Sequence, residues 1–486
     1  MTTRHCFILY VLVIVACLLC GCEDRITSDP ESHLSFSVDT LRFDTVFTER
    51  GSATKIVKAY NRSKEAVVID NISFSDNDNF RFNINGENDK DNLHDILLRG
   101  GDSIFIFVKA TIDPHDTAKP VLVEDSVIFF VNSNRDVLHV EAVSQDVIIL
   151  RGDTIEDIVQ LGNDKPYLVF DTVWFMNNVQ INAGTRFYMH DNSVIVFRRG
   201  LIVKGERDNP VVFRGDRFDD ILRDIPYDYA SGKWGGIFLI PDLNSDSKNP
   251  PYNINCLDVH SATFGLFCQS DKTSDLPQIY LSNSRLHNFS LYGLVLQNMN
   301  AEVSNCEISN CADYCVYLSG GRHTFVHNTI ANFFNYKKEN VSIHSVGRED
   351  VAAVYISDLS KTQVRTEAVF KNNIISGWRR NNITLATALP NRYDGVFLGN
   401  LLRNDTLDIA RFSDNCYEQD TDTVFTRIWF SREEHTYYDF RLDSVSPARD
   451  IADSLTAVSY PLDRDGNSRL KDGKPDAGCY EWQPTE

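Results

Sequence analysis

Leu281-Ser-Asn-Ser-Arg-Leu-His-Asn-Phe289, Val303-Ser-Asn-Cys-Glu-Ile-Ser-Asn-Cys311 and Phe325-Val-His-Asn-Thr-Ile-Ala-Asn-Phe333 are three copies of one pattern, each 22 residues after the last. Leu281, Val303 and Phe325 share one register; Leu286, Ile308 and Ile330 share a second; Asn288, Asn310 and Asn332 share a third. Registers that repeat together mark stacked copies of one supersecondary unit. A unit of this length, rich in strand formers and turn residues, reads as one rung of a parallel β-helix. Rungs stack about 4.8 Å apart, so equivalent side chains form ladders. Asn288, Asn310 and Asn332 are expected to form a structural ladder, bonding the next rung's backbone and asparagine.

The same texture extends on both sides. Short β runs punctuated by glycine and asparagine fill 179–213, a longer excursion follows at 214–233, and rungs continue through 254–268, 279–296, 301–318, 323–334 and 368–378. Loops near 335–350 and 379–395 interrupt the later turns. Cys311 takes the register of Phe289 and Phe333 and reads as a small buried apolar residue.

Ahead of this region the period changes. Alternation is clear at Phe80, Phe82, Ile84 and at Ile104, Ile106, Val108. Candidate strands are 34–47, 53–60, 66–74, 80–84, 103–110, 126–131 and 137–143, separated by turn signals such as Asn85-Gly86 and Gly100-Gly101. Seven short strands over residues 33–148 predict an immunoglobulin-like β-sandwich, lacking the disulfide and buried tryptophan of antibody domains. The fold class expected is therefore all-β, a sandwich followed by a right-handed parallel β-helix over 149–486.

The chain has 486 residues and a formal net charge of −20. That charge argues against nucleic acid as a partner and against polyanionic glycans that lack a compensating cation. Arg4 and His5 precede the apolar run 6–19, which is too short to span a bilayer as a stable anchor. The cysteines after Cys22 number seven, which is odd, so they cannot all pair within one chain.

Three resemblances sharpen this reading. Leu19-Cys20-Gly21-Cys22 resembles the lipobox of bacterial lipoproteins. It implies a signal peptide at 1–21, lipid on Cys22, a short polar tether over 22–32, and a membrane partner reached through that lipid. Asp-Ser/Thr followed by an aliphatic residue or alanine, as at Asp39, Asp44, Asp102, Asp125 and Asp171, resembles an O-glycosylation motif of one Gram-negative phylum. Both imply the cell envelope, at the outer membrane. Asp463-Arg464-Asp465-Gly466-Asn467-Ser468-Arg469, then Asp476-Ala477-Gly478-Cys479-Tyr480-Glu481, resembles the terminal signature of pectate-lyase-like right-handed β-helix proteins, with Cys479 in place of the usual alanine. That superfamily contains lyases, hydrolases and proteins of no known activity, so the resemblance implies fold and a C-terminal cap, not chemistry. The sandwich is similar to Hydin-type immunoglobulin-like domains found beside bacterial surface modules.

Candidate chemistry is sparse. Arg285 and Glu307, one rung apart, read as a surface ion pair. His323 and His327 read as surface histidines without a third metal ligand. Asp463 and Asp465 open like a calcium loop, but no bidentate acid follows, so a turn in which Arg469 pairs with the aspartates is expected. Glu302, Glu307 and Asp313 are carboxylates on the rungs with no visible pairing. No cofactor and no metal centre are expected, with Ca²⁺ left open. Tyr227, Tyr229 and Trp234 in the excursion, and Trp378 with Arg379, Arg380 and Arg392, are candidate glycan contacts, Trp234 having core plugging as its other reading. The function expected is an exported, lipid-anchored scaffold that binds a glycan or another envelope protein without catalysis. The alternatives are a polysaccharide lyase or glycoside hydrolase in the groove, and a protein-contacting adhesin. Titratable side chains converging with shifted pKa values would favour an enzyme; a broad aromatic patch without a cleft would favour an adhesin.

Overall fold

The computed structural model describes residues 25–76, 79–88, 93–222, 225–242, 250–334, 351–358, 364–386, 394–405, 414–418, 420–430 and 437–484. Cys22, Arg392 and the expected loop 335–350 lie outside them. The chain divides into two units, Met1–Asp146 and Val147–Glu486. Among the described residues no helix is long and apolar enough to cross a membrane.

The first unit is a β-sandwich of two five-stranded sheets. Ser103–Ala110 alternates strictly between buried and solvent-facing residues, placing Ile104, Ile106 and Val108 in the core with Phe80, Phe82 and Phe129. All strand pairs are antiparallel except Asn134–Gln145 on Thr40–Phe47, which is parallel with a register shift after Ala142. The expected strand 34–47 is split, Leu34–Phe36 and Thr40–Phe47 going to different sheets, and His94–Leu98 adds an edge strand the alternation did not reveal. Ala66 donates its N–H to Arg25 O and Thr27 donates to Ala66 O, so the chain is fastened to the sandwich from residue 25 onward.

The second unit is a right-handed parallel β-helix. Among the described residues its rung strands fall into three parallel sheets of eleven, nine and nine, visited in turn: Ile148–Arg151 opens the first, Thr154–Ile155 the second and Val159–Leu161 the third, with two small antiparallel pairs outside them. Apolar residues in register stack inside. On the first sheet Phe187 and Phe213 lie 4.1 Å apart and 5° from parallel, and on the third sheet Phe325, Phe370 and Phe397 form a separate stack at 4.8 Å per step. The expected loop 379–395 holds two further strands, Ile383–Ala386 of the second sheet and the start of Asp394–Leu398 of the third.

From Ser282 onward the turn from the third sheet to the first is two residues long in every rung up to Leu401. Its leading residues Asn283, Asn305, His327 and Asn372 have φ between 52° and 58°, a left-handed position that asparagine tolerates well. The residues that follow carry a buried ladder: Asn328 Nδ2 donates to Asn373 Oδ1, Asn373 to Asn400 and Asn400 to Asn415, at 2.8–3.0 Å. Asn288, Asn310 and Asn332 form no such side-chain chain. Asn310 and Asn332 accept backbone N–H groups of Phe333 and Cys311, whereas the buried Asn288 amide makes no hydrogen bond.

The C-terminal segment packs along the outer face of the first sheet. Val424, Phe425, Phe440, Ala448 and Cys479 cover Ala331, Phe333, Ile374 and Leu401. Its signature residues form a buried polar knot. Asp463 accepts from Asn467 N and Glu481 N at 2.6 and 2.8 Å. Arg469 donates to Glu481 at 2.9 Å and to Asn305 at 3.1 Å, so its carboxylate partner is Glu481 and not the aspartates of the turn.

Candidate functional site

Register on the first sheet sets the chemistry of its outer face. Asp258 pairs with Arg285 and Arg285 with Glu307, making one column; His260, His287 and Ser309 make the next. Arg285 Nε donates to Glu307 at 3.0 Å, and the Tyr480 hydroxyl donates to the other Glu307 oxygen at 2.6 Å. The expected pair is thus formed, but it is not on the surface. The C-terminal segment leaves the Glu307 side chain only 3% exposed. Burial opposes the Glu307 charge, yet Arg285, Arg464 and the Tyr480 hydroxyl outweigh it and hold the carboxyl down at about 2.

Beyond this pair the column opens. His287 Nε2 lies 3.5 Å from Asp258 Oδ1, and the His260 and His287 rings stack 4.8 Å apart. Burial, then the neighbouring His287, pushes His260 down to about 4; burial and Arg285 also depress His287. Asp258 resists its own burial because His287, His260 and Arg285 hold it well below the carboxylate range. Both rings are neutral and Asp258 is ionised at neutral pH. The pairing was hidden in sequence because His260 and His287 are 27 residues apart, off the 22-residue step. The shared Asp-Val-His and Arg-Leu-His pattern of 258–260 and 285–287 was the available signal.

The predicted histidines prove internal. His323 and His327 are 1% and 0% exposed. His323 sits between Ala301 and Ala368 on adjacent rungs, small neighbours that leave room for its ring, and neither nitrogen makes a hydrogen bond of good geometry. Burial lowers its pKa to about 3. The unfolded chain therefore binds a proton below pH ~6.5 that the fold does not take. Stability supplied by the neutral ring is complete above that pH and falls by about 1.4 kcal/mol per unit below it. His323→Leu should shrink the loss of stability between pH 7 and pH 5, measured by denaturant titration, by about 2 kcal/mol. An unchanged loss would contradict this assignment.

The excursion aromatics are largely occupied. Trp234 is fully buried, its Nε1 donating to His260 O, so it plugs the core and offers no face to a sugar. Tyr227 is buried against Gly215, where an added Cβ would lie 2.3 Å from its ring. The half-buried Tyr229 stacks on Tyr437 at 3.9 Å. Trp378 and Arg379 are half-buried, while Arg380 is exposed and paired with Asp405 at 2.7 Å.

A different aromatic surface was missed. On the second sheet Phe238, Phe267, Val295, Tyr317 and Tyr355 share one outward register. Phe264, Tyr292 and Tyr314 run beside them, each two residues ahead of a strand of that sheet. All seven rings are half-buried and in serial contact: Phe238 with Phe264 and Phe267, Phe264 with Tyr292, Tyr292 with Tyr314 and Tyr317, and both of these with Tyr355, at 4.6–6.2 Å. Five strands at the ordinary spacing make the stripe about 19 Å long. Its edge is polar: Asp313 accepts from Tyr292, and Gln297 and Ser319 flank the Tyr317 hydroxyl. Trp378, Arg379 and Arg380 lie in the corresponding turn of the next rung. Phe264-Gly-Leu-Phe267 and Tyr314-Cys-Val-Tyr317 carried the signal in sequence.

The chain matches no family model and no curated protein. Among solved structures it is similar to Dex49A from Penicillium minioluteum, with 10% identity and a TM-score of 0.24 over 76% of this chain and 80% of that one. A likeness of that size carries no inference about activity.

Proposed function

We propose that the protein is a non-catalytic glycan-binding scaffold of the cell envelope, held to the outer membrane by lipid on Cys22. In this reading the sandwich is a Hydin-type immunoglobulin-like spacer, and the second sheet of the β-helix presents the binding surface. The observation that carries it is the aromatic stripe. Flat apolar faces flanked by hydroxyls, amides and one carboxylate suit an extended sugar chain, whose C–H faces stack while its hydroxyls bond at the rim. A net charge of −20 selects a neutral polysaccharide. Trp378, Arg379 and Arg380 extend the surface by one rung.

The second reading, a polysaccharide-active enzyme, is favoured by one observation: Asp258, His260, His287, Arg285 and Glu307 converge with shifted pKa values. Purified protein on a polysaccharide panel separates the two. Retention on a neutral glycan with no new reducing ends and no unsaturated product is expected. Product formation would replace the proposal with the enzyme, and silence on every glycan would favour a protein-contacting adhesin.

A further inference from the structure

We infer that Asp258, His260 and His287 form a binding site for one divalent transition-metal ion of the zinc type. One ligand atom from each of the three lies within 4.8 Å of the other two, on adjacent rungs whose register brings them together. Two imidazoles and one carboxylate are a ligand set that borderline metals such as Zn²⁺ accept, while Ca²⁺ and Mg²⁺ favour all-oxygen sites.

Three features of the surroundings prepare the site. Asp258 Oδ1 is buried and its nearest partner, His287 Nε2, stands 3.5 Å away, too far for a good hydrogen bond, so the carboxylate oxygen is available as a ligand. His260 is held by a second group. Ser261 Oγ donates its own proton to Asp228 O, so the 3.1 Å contact between Ser261 Oγ and His260 Nδ1 has the imidazole as donor. That fixes the tautomer and leaves the lone pair on Nε2, as the supporting hydrogen bond of a metal-bound histidine does. Finally, the flanking charges are committed elsewhere: Arg214 pairs with Asp228 at 2.6 Å, and Arg285 with Glu307. The Asp258 side chain keeps 23% of its surface exposed, which gives an ion its way in and leaves a coordination position for water.

The site is independent of the aromatic stripe, which lies on another sheet. Purified protein stripped of metal and titrated with Zn²⁺ should take up one ion per chain. His260→Gln and His287→Gln should each weaken uptake by about 100-fold or more. His190→Gln, a partly exposed histidine bonded to Asp216, should leave it unchanged. Co²⁺ in place of Zn²⁺ should give visible absorption that is lost in Asp258→Asn, a variant of nearly the same shape that serves if a histidine variant fails to fold. No stoichiometric uptake by the unaltered chain, or uptake that survives both His260→Gln and His287→Gln, would overturn the inference.

Discussion

Glu307→Ala is expected to destabilise the β-helix by about 3–5 kcal/mol in denaturant titration. The carboxylate is the partner of the mostly buried Arg285 and the acceptor of the Tyr480 hydroxyl. Truncating it strands a guanidinium and a hydroxyl beneath the C-terminal segment, and an uncompensated buried charge costs more than the pair contributes. The double variant Arg285→Met/Glu307→Leu should therefore recover most of the loss, since apolar replacements of similar volume remove both desolvated charges together. Equal losses in the single and double variants would show that the two side chains are not coupled. The loss also tests how the C-terminal segment is held, because Cys479 N–H donates to Thr329 Oγ1 one rung along.

Asn373→Leu should cost at least about 3 kcal/mol. The Asn373 side chain is fully buried and serves three rungs. Its two amide protons are divided among Phe325 O, Lys371 O and Asn400 Oδ1, one of them shared, and its oxygen accepts from the Asn328 backbone and amide. Leucine leaves the buried Asn328 N–H without its acceptor and takes one partner from each of the other groups, although Lys371 O keeps the His327 N–H, Asn400 Oδ1 the Asn373 N–H and the Asn328 amide Val303 O; each group left unpaired costs about 1–3 kcal/mol. Asn288→Gly is the contrast. Asn288 has a left-handed φ of 61° and no side-chain hydrogen bond, so glycine should change stability by less than about 1 kcal/mol. Similar losses at both positions would contradict this account of the ladder.

These two asparagines also show what the sequence disclosed and what it concealed. Asn288, Asn310 and Asn332 repeat at an even step, so the eye finds them and they report the rung correctly. The residues that bear the ladder, Asn328, Asn373, Asn400 and Asn415, are separated by 45, 27 and 15 residues, because loops of unequal length enter between equivalent turns. The same irregularity hid His260 above His287 and Phe264 beside Tyr292. A period read from sequence identifies the rung, while the outward columns depend on loop lengths that periodicity does not supply. Burial misled in the other direction. Arg285, Glu307, His323 and Trp234 are residue types expected at a surface or its rim, but the C-terminal segment covers Glu307, and Ala301 and Ala368 make space for His323. Only tertiary packing decides such cases.

The most direct test of the account compares two variants on a polysaccharide that the unaltered protein retains. Tyr317→Ala/Tyr355→Ala removes two adjacent faces of the stripe, and Tyr280→Ala removes an exposed tyrosine of the third sheet. An aromatic face contact is worth about 1 kcal/mol or slightly more, so each lost stripe ring should weaken binding by about tenfold. The prediction is a loss of about 100-fold for the double variant and none for Tyr280→Ala. Undiminished retention by the double variant would place the glycan elsewhere on the molecule and contradict the central claim.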